Sequence, residues 1–170
     1  MRLVKQMTSA WLVRLIGGFV VAAGWSAAFA AVDASAYRPS TIEALVAQHG
    51  LKWEPSPSLQ GETRLISPEF KYRLQLRATG RIRELTPEAV DAIAMWGRML
   101  PDLPAFLKEY THEVEVEVDH ESLWLLWQRS LVAPFRAERS DGGDIEVLAI
   151  LAGTFRGRLL LFVTAFESRA

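Results

Sequence analysis

The side chains best suited to chemistry lie in one nine-residue stretch, HEVEVEVDH, at residues 112–120. Two histidines flank four carboxylates and three valines there. Imidazoles and carboxylates that converge can hold a metal ion or transfer protons. Which of these is possible depends on the element that carries them, because that element decides which side chains share a face.

The alternation of valine with acidic residues predicts a β-strand, in which successive side chains point to opposite faces. The carboxylates then share one face: Glu113, Glu115, Glu117 and Asp119. The valines share the other face with His112 and His120. These histidines are eight residues apart, about 26 Å along a strand, which is too far for one shared ion. Zinc needs three or four converging ligands and calcium needs a looped chain, so we expect no metal and no other cofactor.

We interpret the acidic face as the solvated side of a half-buried sheet. The segment FKYRLQLR (Phe70–Arg77) alternates in the same way, and its basic residues share one face: Lys71, Arg73 and Arg77. Opposite charges on neighbouring strands contribute about 0.2–1 kcal/mol per pair and help to fix the register. On this interpretation, changing Glu115 and Glu117 to Gln costs little, whereas Val116→Asp places a charge in the core.

The first thirty residues have the three-part pattern of a secretory signal peptide. A basic start without acidic residues precedes the apolar run LIGGFVVAAGW and the small-residue stretch SAAFA. Ala28 and Ala30 meet the small-residue requirement of signal peptidase, which predicts cleavage between Ala30 and Ala31. The alternative is an uncleaved anchor. However, the whole apolar segment LIGGFVVAAGWSAAFAA has seventeen residues, fewer than the roughly 20 that span a bilayer. We therefore expect a periplasmic protein in a Gram-negative cell and a secreted one otherwise.

Composition limits what the exported chain can be. Removing residues 1–30 takes away three of the 19 basic residues and none of the 20 acidic ones, which leaves 16 against 20, a net charge of −4. This charge does not favour nucleic acid or an anionic membrane as a partner. The chain has no cysteine, which excludes thiol chemistry, disulfides and a lipoprotein anchor. A domain of the remaining size buries about 68% of its unfolded surface and needs no disulfide.

The mature chain reads as short helices and strands. Residues 31–39 are expected to be a flexible tether and residues 40–168 a single globular domain. A helix is predicted over 40–50, with Ser40 as its cap and Gly50 at its left-handed end. FKYRLQLR is predicted to form a hairpin with RIREL across the ATG turn.

The second half is predicted to be richer in strands. It follows a helix at 87–100, whose buried stripe is Val90, Ile93, Ala94 and Leu100. Residues 122–128 (SLWLLWQ) favour a strand over a helix, RSLVAPFRAE favours a helix, and the last strands form a hairpin across TFRG. The predicted fold is α+β, a single domain in which an antiparallel sheet carries two to four short helices.

No catalytic motif is recognisable. The chain has no G-x-S-x-G, no H-E-x-x-H and no phosphate-binding glycine loop. We therefore favour a non-catalytic envelope module that binds a protein, peptide or glycan, including the inhibitor or immunity type; the alternative is a small hydrolase or lyase with dispersed catalytic residues. The candidate binding residues are Trp53, beside the proline-rich loop, and members of the acidic stretch: Glu113, Glu115, Glu117 and His120.

The export prediction can be checked by mass spectrometry. Protein recovered from the periplasm or the medium should have the intact mass of a chain that begins at Ala31, because Ala28-Phe29-Ala30 provides the cleavage motif. A full-length chain in the membrane fraction would show that the segment is an anchor.

Overall fold

The computed structural model describes residues 32–54, 61–99 and 104–169. The predicted signal peptide with Ala28, Ala30 and Ala31 lies outside the described residues, as do residues 55–60 of the predicted proline-rich loop and Leu100. Among the described residues, no helix has both the length and the apolar character needed to cross a membrane.

The described part of the chain contains seven strands and four α-helices. The strands are β1 (Arg38–Ser40), β2 (Arg64–Leu65), β3 (Lys71–Glu84), β4 (Tyr110–Val118), β5 (Glu121–Gln128), β6 (Gly143–Phe155) and β7 (Arg158–Ser168). The helices are α1 (Ile42–His49), α2 (Pro87–Met99), the short α3 (Pro104–Leu107) and α4 (Arg129–Arg139). The α+β class predicted from the sequence is confirmed.

Most strand pairs are antiparallel, as predicted, but five strands close into a barrel, which the predicted sheet with helices packed on it did not include. The long strand β3 pairs with β6 through its first half and with β4 through its second half. The order around the barrel is β3-β4-β5-β7-β6 and back to β3, and β5 runs parallel to β7. With α4 inserted between the third and fourth barrel strands, this connectivity is that of the OB fold, a small Greek-key barrel.

Strand β3 continues through the segment that the sequence suggested was a hairpin turn. Residues 78–82 form an irregularity in the pairing with β4, where the strand bends from one partner to the other. Gly80 lies in this bend with φ +83°, and a Cβ at this position would collide with the carbonyl oxygen of Ser140. The glycine therefore serves a bend within one strand, because both halves find their partners elsewhere in the chain.

The barrel interior and one part of its outer surface are both apolar. The interior is filled by alternating residues of all five strands, and α4 touches β3, β4, β5 and β7 and so covers one end of the barrel. At this end Phe135 of α4 packs against Trp127 and Phe166, with ring centroids 5.3–5.9 Å apart. Helix α2 lies on the outer surface, where Trp96 stacks on Phe162 at 4.6 Å. Both surfaces of the β7 region are consequently buried.

Most local predictions for the second half are confirmed, including the strand at 121–128, the helix that contains Pro134 and the final hairpin. Most of the stripe predicted for α2 is wrong: Val90 is half exposed and Ala94 is exposed, Ile93 is partly buried, and the buried positions are Ala89, Ala92 and Trp96. Small alanines allow the helix backbone to lie close to the barrel. The larger apolar side chains of α2 therefore do not mark its buried side.

The beginning of the described chain packs on the barrel. Helix α1 is capped by the Thr41 hydroxyl, which accepts from the Ala44 N–H at 3.2 Å, so the cap follows the predicted Ser40 by one residue. Gly50 ends the helix in the left-handed conformation, as predicted. Within the segment expected to be a tether, Tyr37 is buried and β1 pairs with the start of β3.

The role of Gly80 can be tested against Gly50, which also has a positive φ but meets only the flexible end of Arg64, at 3.3 Å. Gly50→Ala should lower the free energy of unfolding by about 1 kcal/mol, the cost of a left-handed alanine. Gly80→Ala should cost at least about 2 kcal/mol, because backbone must also move. Urea denaturation measures both, and equal losses would contradict the close approach to Ser140.

Candidate functional site

Two of the three outward glutamates of β4 are buried, which overturns the interpretation of the acidic stretch as a solvated face. The predicted alternation is correct, since Val114, Val116 and Val118 are buried in the barrel. On the opposite face, however, Glu113 is fully buried and Glu115 is only 2% exposed. Of the three glutamates on this strand, Glu117 alone is substantially exposed, at 43% of its side chain.

Glu113 is buried because three groups satisfy its carboxylate. Its Oε2 accepts from Nε of Arg83 at 3.0 Å and from the backbone N–H of Thr86 at 3.1 Å. Its Oε1 is in an ion pair with Nη2 of Arg158. Thr86 precedes α2 and accepts the Ala89 N–H at 3.3 Å, so the carboxylate lies at a helix N-terminus, where negative charge is favourable.

Arg158 is the deepest positive charge among the described residues, with 10% of its side chain exposed. Its guanidinium donates to the Thr86 hydroxyl at 3.3 Å and to the carbonyl oxygen of Trp124 at 3.4 Å. Burial, with a smaller contribution from the nearby Arg83, lowers the pKa of Arg158 to about 10. The side chain therefore remains charged at neutral pH, and its charge is balanced by Glu113.

Arg83 connects this buried charge to the surface. Its guanidinium lies over the Trp124 ring, 3.6 Å from the centroid, in a cation–π contact. Burial lowers the pKa of Arg83, although 40% of its side chain is exposed. Nε is bonded to Glu113, but within the described part of the chain the two Nη groups have no acceptor. Arg83 is thus fixed at its inner edge and free to donate at its outer edge.

Glu115, two residues after Glu113 on β4, binds a second arginine in a similar way. It accepts from the Thr79 hydroxyl at 2.7 Å and is ion-paired with Nε of Arg81, which is 66% exposed. Burial raises the pKa of Glu115, but hydrogen bonds from Thr79, Ser122 and Arg81 outweigh burial and hold the pKa below its ordinary value. The carboxylate is ionised at neutral pH and is unsuited to general-acid catalysis.

These residues form one surface on the outside of β3, β4 and β5, which we call the arginine–tryptophan face. It comprises Arg77, Arg81, Arg83, Glu117, Ser122 and Trp124, underlain by Glu113 and Glu115. The strand register places Arg77 opposite Glu117, which is opposite Ser122, while Trp124 is opposite Glu115. β4 and β5 are the second and third barrel strands, the surface on which OB folds bind oligonucleotides and oligosaccharides.

The other residues singled out from the sequence lie away from this face or at its margin. Trp53 is partly buried against the barrel core, so it is not the exposed aromatic that we expected. His120 is exposed in the turn between β4 and β5, with Nδ1 3.4 Å from Glu117. His112 contacts Thr111, and His49 contacts Tyr72. Among the described residues, no three acidic, histidine or cysteine side chains are placed to hold a metal ion.

The arginines that matter most on the face were not identified from the sequence. The pattern predicted that Lys71, Arg73 and Arg77 pair with the acidic strand, whereas Arg81 and Arg83 make the ion pairs. The segment RIRE has the same two-residue period as FKYRLQLR, and this signal was hidden by the hairpin assignment at ATG.

Comparison with known proteins does not assign this chain to a family. No protein-family model matches this chain, and no curated protein matches its sequence. Because one fold hosts many functions, function has to be inferred from the geometry of the face.

The burial of Glu113 predicts a large difference between two conservative substitutions. Glu113→Gln should lower the free energy of unfolding by about 3–5 kcal/mol, because it leaves Arg158 buried without a counter-charge. Glu117→Gln on the same strand should cost about 0–1 kcal/mol. Urea denaturation at pH 7 measures both, and a cost below 1 kcal/mol for Glu113→Gln would mean that the carboxylate is solvated after all.

Proposed function

We propose that the mature chain is an exported, non-catalytic module of the cell envelope that binds a glycan with carboxylate groups on the arginine–tryptophan face. The observation that carries the proposal is the state of Arg83. Glu113 and the Trp124 ring hold its guanidinium in one orientation, while its two Nη groups donate no hydrogen bond to the described residues. A guanidinium fixed in this way can bind a carboxylate with little further loss of side-chain entropy.

The mixture of groups on the face favours a glycan over a polyanion. The face has three arginines and three glutamates, and the buried Arg158 beneath it adds a fourth arginine, so the surplus is one positive charge, which is too small for the counterion-release binding of nucleic acid. Sugar hydroxyls both donate and accept, and the exposed Glu117, Ser122 and guanidinium groups offer matching acceptors and donors. A peptide or protein with acidic side chains is the remaining class of partner for the same surface.

Binding is better supported than catalysis. The two buried carboxylates of the face are engaged by arginines, and hydrogen bonds lower the pKa of Glu115. A hydrolase or lyase needs a group that holds or takes a proton near neutral pH at the substrate. The three histidines have separate neighbours, namely Tyr72, Thr111 and Glu117, and within the described residues none is hydrogen-bonded to Glu113 or Glu115.

Calorimetry with a defined acidic glycan tests the proposal. The mature chain is titrated with hexagalacturonate and with its fully methyl-esterified form, which has the same length and no charge. The acidic form should bind at least ten-fold more tightly, a difference of about 1.4 kcal/mol. Affinity should fall as salt rises, because the contacts are between exposed charges.

Two matched variants locate the site. Arg77 makes no ion pair with the described residues, so Arg77→Gln should weaken binding about ten-fold without affecting the fold. Arg98→Gln removes the same charge from the exposed side of α2 and should leave affinity unchanged. Equal affinity of the two variants would place the site elsewhere, and absence of binding by either hexamer would overturn the glycan proposal.

A further inference from the structure

A second surface, independent of the arginine–tryptophan face, lies where α4 passes the start of β4. A groove of about 600 Å³ runs between them. It is lined by His112, Arg129, Val132, Ala133, Arg136 and Ala137. Apart from His112, all of these belong to one side of α4, on which Val132 is buried against the barrel core and the other residues are exposed.

The groove is basic at both ends and apolar between them. Arg129 and Arg136 are exposed, and neither forms an ion pair within the described part of the chain. They are seven residues apart, two helical turns, which separates them by about 10.5 Å along the axis. Val132 and Ala133 lie between them and Ala137 directly follows Arg136, and of the six described residues that line the groove none is acidic.

The positive charge of this groove contributes to a lowered pKa of His112. Its Nδ1 lies 2.8 Å from the Thr111 hydroxyl. Burial lowers the pKa of His112, Arg136 and Arg129 lower it further, and Glu84 on the neighbouring strand opposes them. An anion that entered the groove would act in the same direction as Glu84 and favour the protonated imidazole.

We propose that this groove binds an extended acidic peptide segment of a partner protein. In an extended chain, side chains at positions i, i+2 and i+4 share one face and span about 13 Å. A segment with carboxylates at the first and last of these positions and an aliphatic residue at the middle one would contact both arginines and the apolar floor. The apolar residues beside the two arginines offer a contact for an aliphatic side chain, which a small anion lacks, so the charge and the apolar lining together favour a peptide.

Fluorescence anisotropy with a labelled peptide of sequence Glu-Ser-Leu-Ser-Glu tests the proposal on the mature chain. The peptide should bind, and its Gln-Ser-Leu-Ser-Gln counterpart should bind at least ten-fold more weakly. Arg129→Gln and Arg136→Gln should each weaken binding about ten-fold, while Arg98→Gln should not change it. Circular dichroism of each variant confirms that the barrel is intact.

The pH dependence provides a second readout. Because the bound carboxylate raises the pKa of His112, affinity should increase as pH falls from 8 to 6, and His112→Gln should abolish this increase. The peptide carboxylates stay ionised over this range.

Three outcomes would overturn the inference. They are failure of the acidic peptide to bind, equal binding by the Gln peptide, and complete displacement by millimolar inorganic phosphate, which would indicate a small-anion site. Arg77→Gln should have no effect on the peptide, so failure here and failure of the glycan proposal are distinguishable.

Discussion

The structure depends on the pairing of one buried carboxylate with two arginines. Glu113 is fully buried on the outside of the barrel, where its ligands come from β3, from β7 and from the backbone at the start of α2. A buried charge without such partners would cost several kcal/mol. The requirement to satisfy Glu113 therefore fixes three things together: the register of β4 against β3, the approach of Arg158 and the position of α2.

That constraint also explains why the barrel has an apolar outer patch. Once the N-terminus of α2 is held at Glu113, the helix extends along the outer surface and needs an apolar surface to cover. Ala89, Ala92 and Trp96 provide the helix side of this contact, and Phe162 lies under Trp96. The residues of β7 consequently face the barrel core on one side and α2 on the other, which is why RLLLFV is apolar without alternation.

Local pattern predicted the elements but not their assembly. The alternation of 113–118, the left-handed Gly50 and the final hairpin depend on neighbours in sequence, and these predictions are confirmed. Closure of the barrel depends on β3 meeting two partners far along the chain, and a glycine in a bend has the same local pattern as a glycine in a hairpin. The burial of Glu113 and Glu115 could not be predicted either, because it depends on arginines about 30 residues away and on the cover that α2 provides.

The same ion pairs that stabilise the barrel prepare its outer surface for a ligand. In both Arg81 and Arg83 the Nε atom is bonded to a buried carboxylate, and the terminal amino groups donate no hydrogen bond to the described residues. A free arginine loses rotamer entropy when it binds a partner, whereas these side chains have already lost much of it on folding. Replacing either glutamate with an apolar residue would remove the charge that holds the guanidinium in place. The buried acids therefore act on ligand binding through the arginines, without touching the ligand themselves.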